Sequence, residues 1–209
     1  MNTRRILELG GIAAGVLMVA FGIGALVLGI NARNTVSDEL TREFIVGSED
    51  MSPAEIEKAV AEAGLTNVDI PSCDVAEKEI ETGSDARCFA QYMRIHALES
   101  SGGNTYAQMG RYVSAASPDD PEGTSDEAAA AKDEEGEPIS NGARNTWVTE
   151  TALATALNVS YMAEQIALFS VVVGIALLLS GIGFIILAFA VLGGGRRKST
   201  AACAIGPRE

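Results

Sequence analysis

The chain has 209 residues, and its 28 Asp and Glu against 15 Lys and Arg give a net charge of −13. This balance argues against nucleic acid as a partner, because phosphate binding needs clustered cations. The mean hydropathy is nevertheless positive, at +0.19. A chain that is both acidic and apolar must keep the two characters in separate segments.

Residues 10–30 form a first stretch of 21 residues without charge. As a helix they would be about 31 Å long, which matches the hydrocarbon core of a bilayer. Two interpretations of this stretch are open, a retained signal anchor and a cleaved signal peptide. The anchor is favoured because the stretch exceeds the roughly 7 to 15 apolar residues of a signal peptide, and residues 30–32 make a poor cleavage site.

Residues 166–192 form a second uncharged stretch of 27 residues. Uncharged apolar runs of this length are rare in soluble folds, so we expect two transmembrane helices and membrane lipid around them. Basic residues flank the ends of both stretches that lie nearer the chain termini: Arg4, Arg5, Arg196, Arg197 and Lys198. Arg33 and Arg42 follow the first stretch, so the second stretch indicates the orientation more clearly than the first. The positive-inside rule then predicts cytoplasmic termini, residues 1–9 and 193–209, with residues 31–165 extracytoplasmic.

Small residues recur at helical spacing in both stretches. They are Gly11, Gly15, Gly22 and Gly29 in the first, with Met18 and Ala25 on the same stripe, and Ala167, Gly174, Gly181, Ala188 and Gly195 in the second, at intervals of seven. Small residues let helix backbones approach closely, which favours association in lipid. We expect both stripes to be packing faces, either inside one hairpin or between copies. Glycine is also simply common in membrane helices.

Neither stretch carries an ionisable residue. Pumps, proton relays and voltage sensors need charges at membrane depth, so transport by these two helices is not expected. The remaining transport alternative is a pore of several copies lined by Ser170 and Ser180.

Residues 31–116 are predicted to form a small external helical domain. Apolar residues four apart extend the first helix outward: Val36, Leu40 and Phe44. Ser52 and Glu55 resemble a capping box with Pro53 at the first helical position, and Gly64 fits the end of that helix. A third helix is expected from about residue 84 to residue 100, and a short fourth helix from Thr105.

Residues 117–143 are rich in Asp, Glu, Pro, Gly, Ser and Ala and nearly lack large apolar side chains. Such a segment buries too little surface to offset its chain entropy, which predicts a disordered, flexible acidic loop. A calcium site at residues 133–137 is the alternative, but the alternating ligand spacing of a calcium loop is absent. Residues 144–165 are predicted to form a juxtamembrane helix that runs without a breaker into the second stretch.

Cys73 and Cys88 lie 15 positions apart in the segment expected to face an oxidising compartment. There a disulfide would add about 3 kcal/mol by constraining the unfolded chain, which would help a thin helical core. Two free buried thiols or a metal site are the alternatives, and two Cys alone are few ligands for a metal. Cys203 is expected to be a free cytoplasmic thiol.

No catalytic, cofactor-binding or metal-binding motif is found, and His96 is the only histidine. The protein is therefore expected not to be an enzyme and to need no cofactor. A catalytic His96 would require a nucleophile or metal ligands that no spacing predicts.

Residues 93–99, followed by 102–106 and 110–112, resemble a group of uncharacterised actinobacterial two-span membrane proteins, and residues 32–36 and 144–145 resemble the flanks of their spans. The resemblance implies the same topology and no known chemistry. The fold class expected is an all-α membrane protein with two transmembrane helices, a small external helical domain and a disordered acidic loop.

The function expected is that of a membrane-anchored accessory or scaffolding subunit that self-associates or docks on other membrane proteins. Alternatives are an envelope sensor or adaptor, an external enzyme around His96, and an oligomeric pore.

Overall fold

A computed structural model describes residues 3–193 of the chain, with side chains described for residues 5–190. Within these residues the fold is mostly helical and contains isolated β-bridges but no β-strand. The α-helices are α1 (Thr3–Arg42), α2 (Pro53–Glu62), α3 (Gly83–Ser100) and α4 (Gly142–Leu187), with a 3₁₀ turn at Glu127–Ala129 and a π-helical segment at Ala188–Gly193. The expected tail, with Gly195, the basic residues 196–198 and Cys203, lies outside the described residues.

The chain divides into two compact units. Of the described residues, 3–34 and 165–193 form what we call the hairpin unit, and 35–164 form the middle unit. Helices α1 and α4 each contribute to both units, so the second uncharged stretch does continue the helix that precedes it, as the sequence predicts.

The two helices of the hairpin unit are long and apolar enough to cross a membrane. Only 11% and 17% of the most apolar 18-residue segments of these two helices is buried inside the protein. Large side chains stand outward, such as Phe21 at 69% and Leu28 at 70% exposure. A helix of a soluble core would bury such side chains, so these apolar faces fit contact with lipid.

The small residues of both stretches face each other in an antiparallel seam, which we call the glycine seam. Gly15 lies opposite Gly181, Gly22 opposite Gly174, and Gly29 opposite Ala167. A Cβ added to Gly15 would lie 2.7 Å from the carbonyl oxygen of Gly181, and the reverse distance is the same. Gly11 comes closest to the side chain of Ala188. The seam therefore packs one chain against itself, which is the first of the two expectations.

Helices α2 and α3, the end of α1 and the start of α4 enclose the core of the middle unit. Its most deeply buried apolar side chains are Ile56, Val75, Ile80, Ala86 and Tyr92. Ser52 caps α2 by accepting a hydrogen bond from Glu55 N, with Pro53 first in the helix. Gly64, at φ +64°, ends the helix in a left-handed turn in which Leu65 N donates to Val60 O. The predicted second and third helices are confirmed.

Two local expectations are wrong. Phe44 does not extend the α1 face, since it is 86% exposed and has φ +50°. The chain turns there because residues 45–47 pair with residues 77–80, as in the hydrogen bond from Ile80 N to Ile45 O. The short fourth helix is replaced by a turn in which Thr105 N donates to the Gln108 side chain.

The acidic segment 117–143 is hydrogen-bonded instead of lacking structure. Antiparallel bridges join Tyr112 to Thr124 and to Ser140, and Ser114 to Ala130. The Asn141 side chain, only 4% exposed, donates to the carbonyls of Gly110 and Pro121. Hydrogen bonds to the backbone, which composition does not report, supply the order that apolar burial cannot.

Candidate binding groove

The predicted disulfide joins Cys73 to Cys88, with the Cα atoms 6.1 Å apart. It fastens residues 65–82 onto α3. Beside it the Tyr92 hydroxyl donates to the Cys73 carbonyl at 2.6 Å. Burial raises the pKa of Tyr92 above 10.0, and the nearby charge of Asp74 raises it further. The disulfide and this hydrogen bond together hold α3 in place from one side.

Helix α3 is held from its other side by α4. A Cβ on Gly83 would lie 2.7 Å from the carbonyl oxygen of Ser160, so the first turn of α3 touches the α4 backbone. There the Glu164 carboxylate accepts a hydrogen bond from Ser84 N at 3.0 Å, which places a negative charge at the helix N-terminus. Two Arg–aromatic stacks continue the contact along the helix pair: Arg87 on Tyr161 and Arg94 on Trp147.

A groove of about 590 Å³, which we call the α3–α4 groove, lies beside this contact. Helix α3 lines it with Met93, His96, Ala97 and Ser100, and α4 lines it with Gly142, Asn145, Thr146, Thr149, Glu150 and Leu153. The volume is within the range of known ligand sites. Short side chains on α4 leave the groove open, and Leu153 stays 50% exposed at its edge.

Glu150 is the buried acid of this groove, with only 5% of its surface exposed. Its carboxylate accepts a hydrogen bond from the Thr151 hydroxyl at 3.3 Å. Among residues 5–190, no Lys, Arg or His lies within ion-pair distance of it. Burial of a carboxylate is costly without a charged partner or several donors, so Glu150 is a group that a ligand could satisfy.

His96 lies on the α3 wall of the same groove, between two carboxylates. Its Nε2 is 3.3 Å from Asp50 Oδ2, and its Nδ1 is 3.4 Å from Glu99 Oε2. Both carboxylates are roughly half exposed. Among the described residues, no group of three or more His, Cys, Asp and Glu has the arrangement of a metal site.

Two further grooves adjoin the first. One of about 470 Å³ lies on the opposite flank of α4, between Arg94 and Met162, and shares Glu150. The other, of about 690 Å³, lies between α3 and residues 63–69. Arg94 contributes to both of these grooves. Each of the three grooves is lined by one carboxylate, which Arg94 accompanies in the other two, whereas His96 is the only basic side chain that lines the α3–α4 groove.

Neither Glu150 nor the groove is predicted from the sequence. Glu150 follows Thr149 in a polar stretch and has the spacing of an ordinary surface residue. Its position around the helix axis does indicate burial, because Trp147, Ala154 and Leu157 mark the buried face of α4 and position 150 lies on the same face. A charged residue on the same helix face as buried apolar residues is the sequence signal that points to Glu150.

Comparisons of the chain with protein-family models, curated proteins and solved structures found no match. The resemblance to actinobacterial two-span proteins therefore stays a prediction.

Proposed function

We propose that this protein is a non-enzymatic membrane-anchored accessory or scaffolding subunit. Helices α1 and α4 anchor it with both termini in the cytoplasm, and the middle unit docks on a partner protein outside the cytoplasm. The observation that carries the proposal is the α3–α4 groove, an open site with an exposed Leu153 and a buried Glu150 on a rigidly held helix pair.

The anchor is supported by the composition and packing of the hairpin unit. Its outward side chains are apolar, while the glycines of the two stripes, such as Gly15, Gly22 and Gly181, pack within the glycine seam. Because the seam occupies those faces, the hairpin is a preformed anchor, and partner selection falls to the middle unit. That unit carries 8 Lys and Arg against 26 Asp and Glu, a net charge of −18.

Topology is tested by thiol labelling of intact cells that express the full chain. A membrane-impermeant maleimide is expected to label Glu135→Cys, an exposed position in the acidic segment, and to spare Cys203 until the cells are opened. Labelling of Cys203 in intact cells would refute the proposed orientation.

Docking is tested by a photo-crosslinking amino acid at Leu153, with Glu57 on α2 as the exposed control position. Leu153 is expected to give a discrete protein adduct that position 57 does not give, and the variant Thr149→Trp, which fills the groove, is expected to abolish it. Identical adducts from both positions, or none from Leu153, would refute docking through the groove.

A further inference from the structure

We infer that the α3–α4 groove receives a basic side chain, Lys or Arg, of the partner protein, with Glu150 as its counter-charge. The inference rests on the proposed docking function and names the chemistry of the partner segment. Three observations support it: the burial of Glu150, the residue types of the groove walls and the charge of the middle unit.

Glu150 supplies the binding energy for a cation. Only 5% of the Glu150 residue is exposed, one of its carboxylate oxygens accepts a hydrogen bond from the Thr151 hydroxyl at 3.3 Å, and it has no ion pair to Lys, Arg or His within residues 5–190. A charge buried in this way gains most when an opposite charge enters the same site, because the low dielectric strengthens the attraction. A neutral donor would satisfy hydrogen bonds alone and would leave the negative charge uncompensated.

The walls of the groove match the shape of a long basic side chain. Met93 and Leu153 offer apolar surface to the methylene stem, and Thr146 and Thr149 line the groove with hydroxyl oxygens that can accept hydrogen bonds. Asp50 and Glu99 lie within 3.4 Å of the His96 ring nitrogens and add negative charge beside the α3 wall. An acidic or purely apolar segment would leave Glu150 without a counter-charge.

The charge of the whole unit favours the same partner. At a net charge of −18, residues 35–164 attract cationic surfaces over a long range and repel anionic ones. Long-range attraction does not select a site, so the groove must be distinguished from the general charge in any test.

The test uses the full chain in mild detergent with ¹³C-methyl-labelled methionine. The probe is the peptide acetyl-Ala-Leu-Lys-Leu-Ala-amide, and its control has Nε-acetyl-lysine in place of lysine. We expect the lysine peptide to shift the Met93 methyl resonance, which is assigned by its loss in Met93→Leu. We expect the acetyl-lysine peptide to bind at least tenfold more weakly.

Two matched variants separate the groove from the general charge. Glu150→Gln is expected to weaken the lysine peptide at least tenfold, whereas Glu57→Gln, which removes one exposed charge from α2, is expected to change binding less than twofold. Equal binding of both peptides, an equal loss in both variants, or an unmoved Met93 resonance overturns the inference. If Glu150→Gln does not fold, the Met93 methyl resonance of the unaltered chain decides, because Met93 lines the groove and binding elsewhere on the acidic surface would leave this resonance unmoved.

The same measurements distinguish failure of the inference from failure of the proposed function. Suppose that the Leu153 adduct persists in Glu150→Gln and that the crosslinked partner segment has no Lys or Arg. Docking through the groove would then stand, but the inference that a basic side chain enters it would be overturned. Absence of any Leu153-specific adduct removes docking itself.

Discussion

Replacing Gly181 by Ala perturbs the glycine seam at a single atom. The new Cβ would lie 2.7 Å from the carbonyl oxygen of Gly15 and 2.9 Å from the Val19 nitrogen. Ordinary van der Waals contact begins at 3.4 Å, so the helices must separate by about 0.7 Å at this layer. Both neighbours are backbone atoms and cannot rotate away.

The expected cost follows from overpacking of a close contact, about 1 to 3 kcal/mol. Gly183→Ala is the matched control, since no atom lies within 4 Å of its added Cβ. Both changes bring the same gain in helix propensity, up to about 1 kcal/mol, so the difference between the two variants isolates the contact.

The assay measures the separation of the hairpin helices. Dyes are attached at Leu9→Cys and Leu187→Cys, both exposed positions, in a Cys203→Ser background. Energy transfer is then followed as sodium dodecyl sulfate replaces the mild detergent. Gly181→Ala is expected to lose transfer at a lower dodecyl sulfate fraction than Gly183→Ala. Coincident transitions of the two variants would refute the glycine seam.

Three other perturbations act on the middle unit. Cys73→Ser with Cys88→Ser is expected to lower its unfolding free energy by about 3 kcal/mol, and a melting temperature unchanged by reductant in the unaltered chain would contradict this. Tyr92→Phe removes the hydrogen bond to the Cys73 carbonyl, which costs about 1 kcal/mol at neutral pH. Because the folded pKa of Tyr92 is raised above 10.0, the unfolded chain releases its proton first, and the unaltered protein loses stability as pH rises above about 10. Denaturant titrations should show a smaller decrease of the unfolding free energy with pH in Tyr92→Phe than in the unaltered protein. An equal decrease in both proteins would exclude Tyr92 as its source. Asn141→Ala removes the bonds to Gly110 and Pro121, so glutamyl endopeptidase should cut residues 117–140 at least fivefold faster than in Asn145→Ala, and equal rates would show that Asn141 does not order the segment.

The hairpin and the disulfide could be predicted from the sequence because each depends on composition and spacing. Glycines seven residues apart lie on one face of a helix and let a neighbouring backbone approach, and they meet as Gly22 with Gly174. The cap at Ser52 is equally local, since a side chain three residues away supplies the hydrogen bond. Such features need no knowledge of the rest of the fold.

The acidic segment and the groove could not be predicted because they depend on distant contacts. Asn141 binds carbonyl groups 20 and 31 positions away. Thr105 begins a turn because residues 110–112 are drawn into pairing with residues 122–124. Glu150 becomes a groove residue only once α3 lies beside α4, an arrangement set by Gly83 against Ser160.

The two halves of the glycine seam are synthesised at different times, which affects how the helices pair during translation. Its first half ends at Gly29 and its second half begins at Ala167, so 137 residues must be translated between them. At about 5 to 20 residues per second the ribosome needs roughly 7 to 27 s for that interval. During this interval the glycine face of the nascent first helix has no partner helix from its own chain. Neighbouring ribosomes on one messenger RNA would hold several such faces close together. Slow translation or crowded polysomes should therefore raise the yield of chains whose helices have been exchanged.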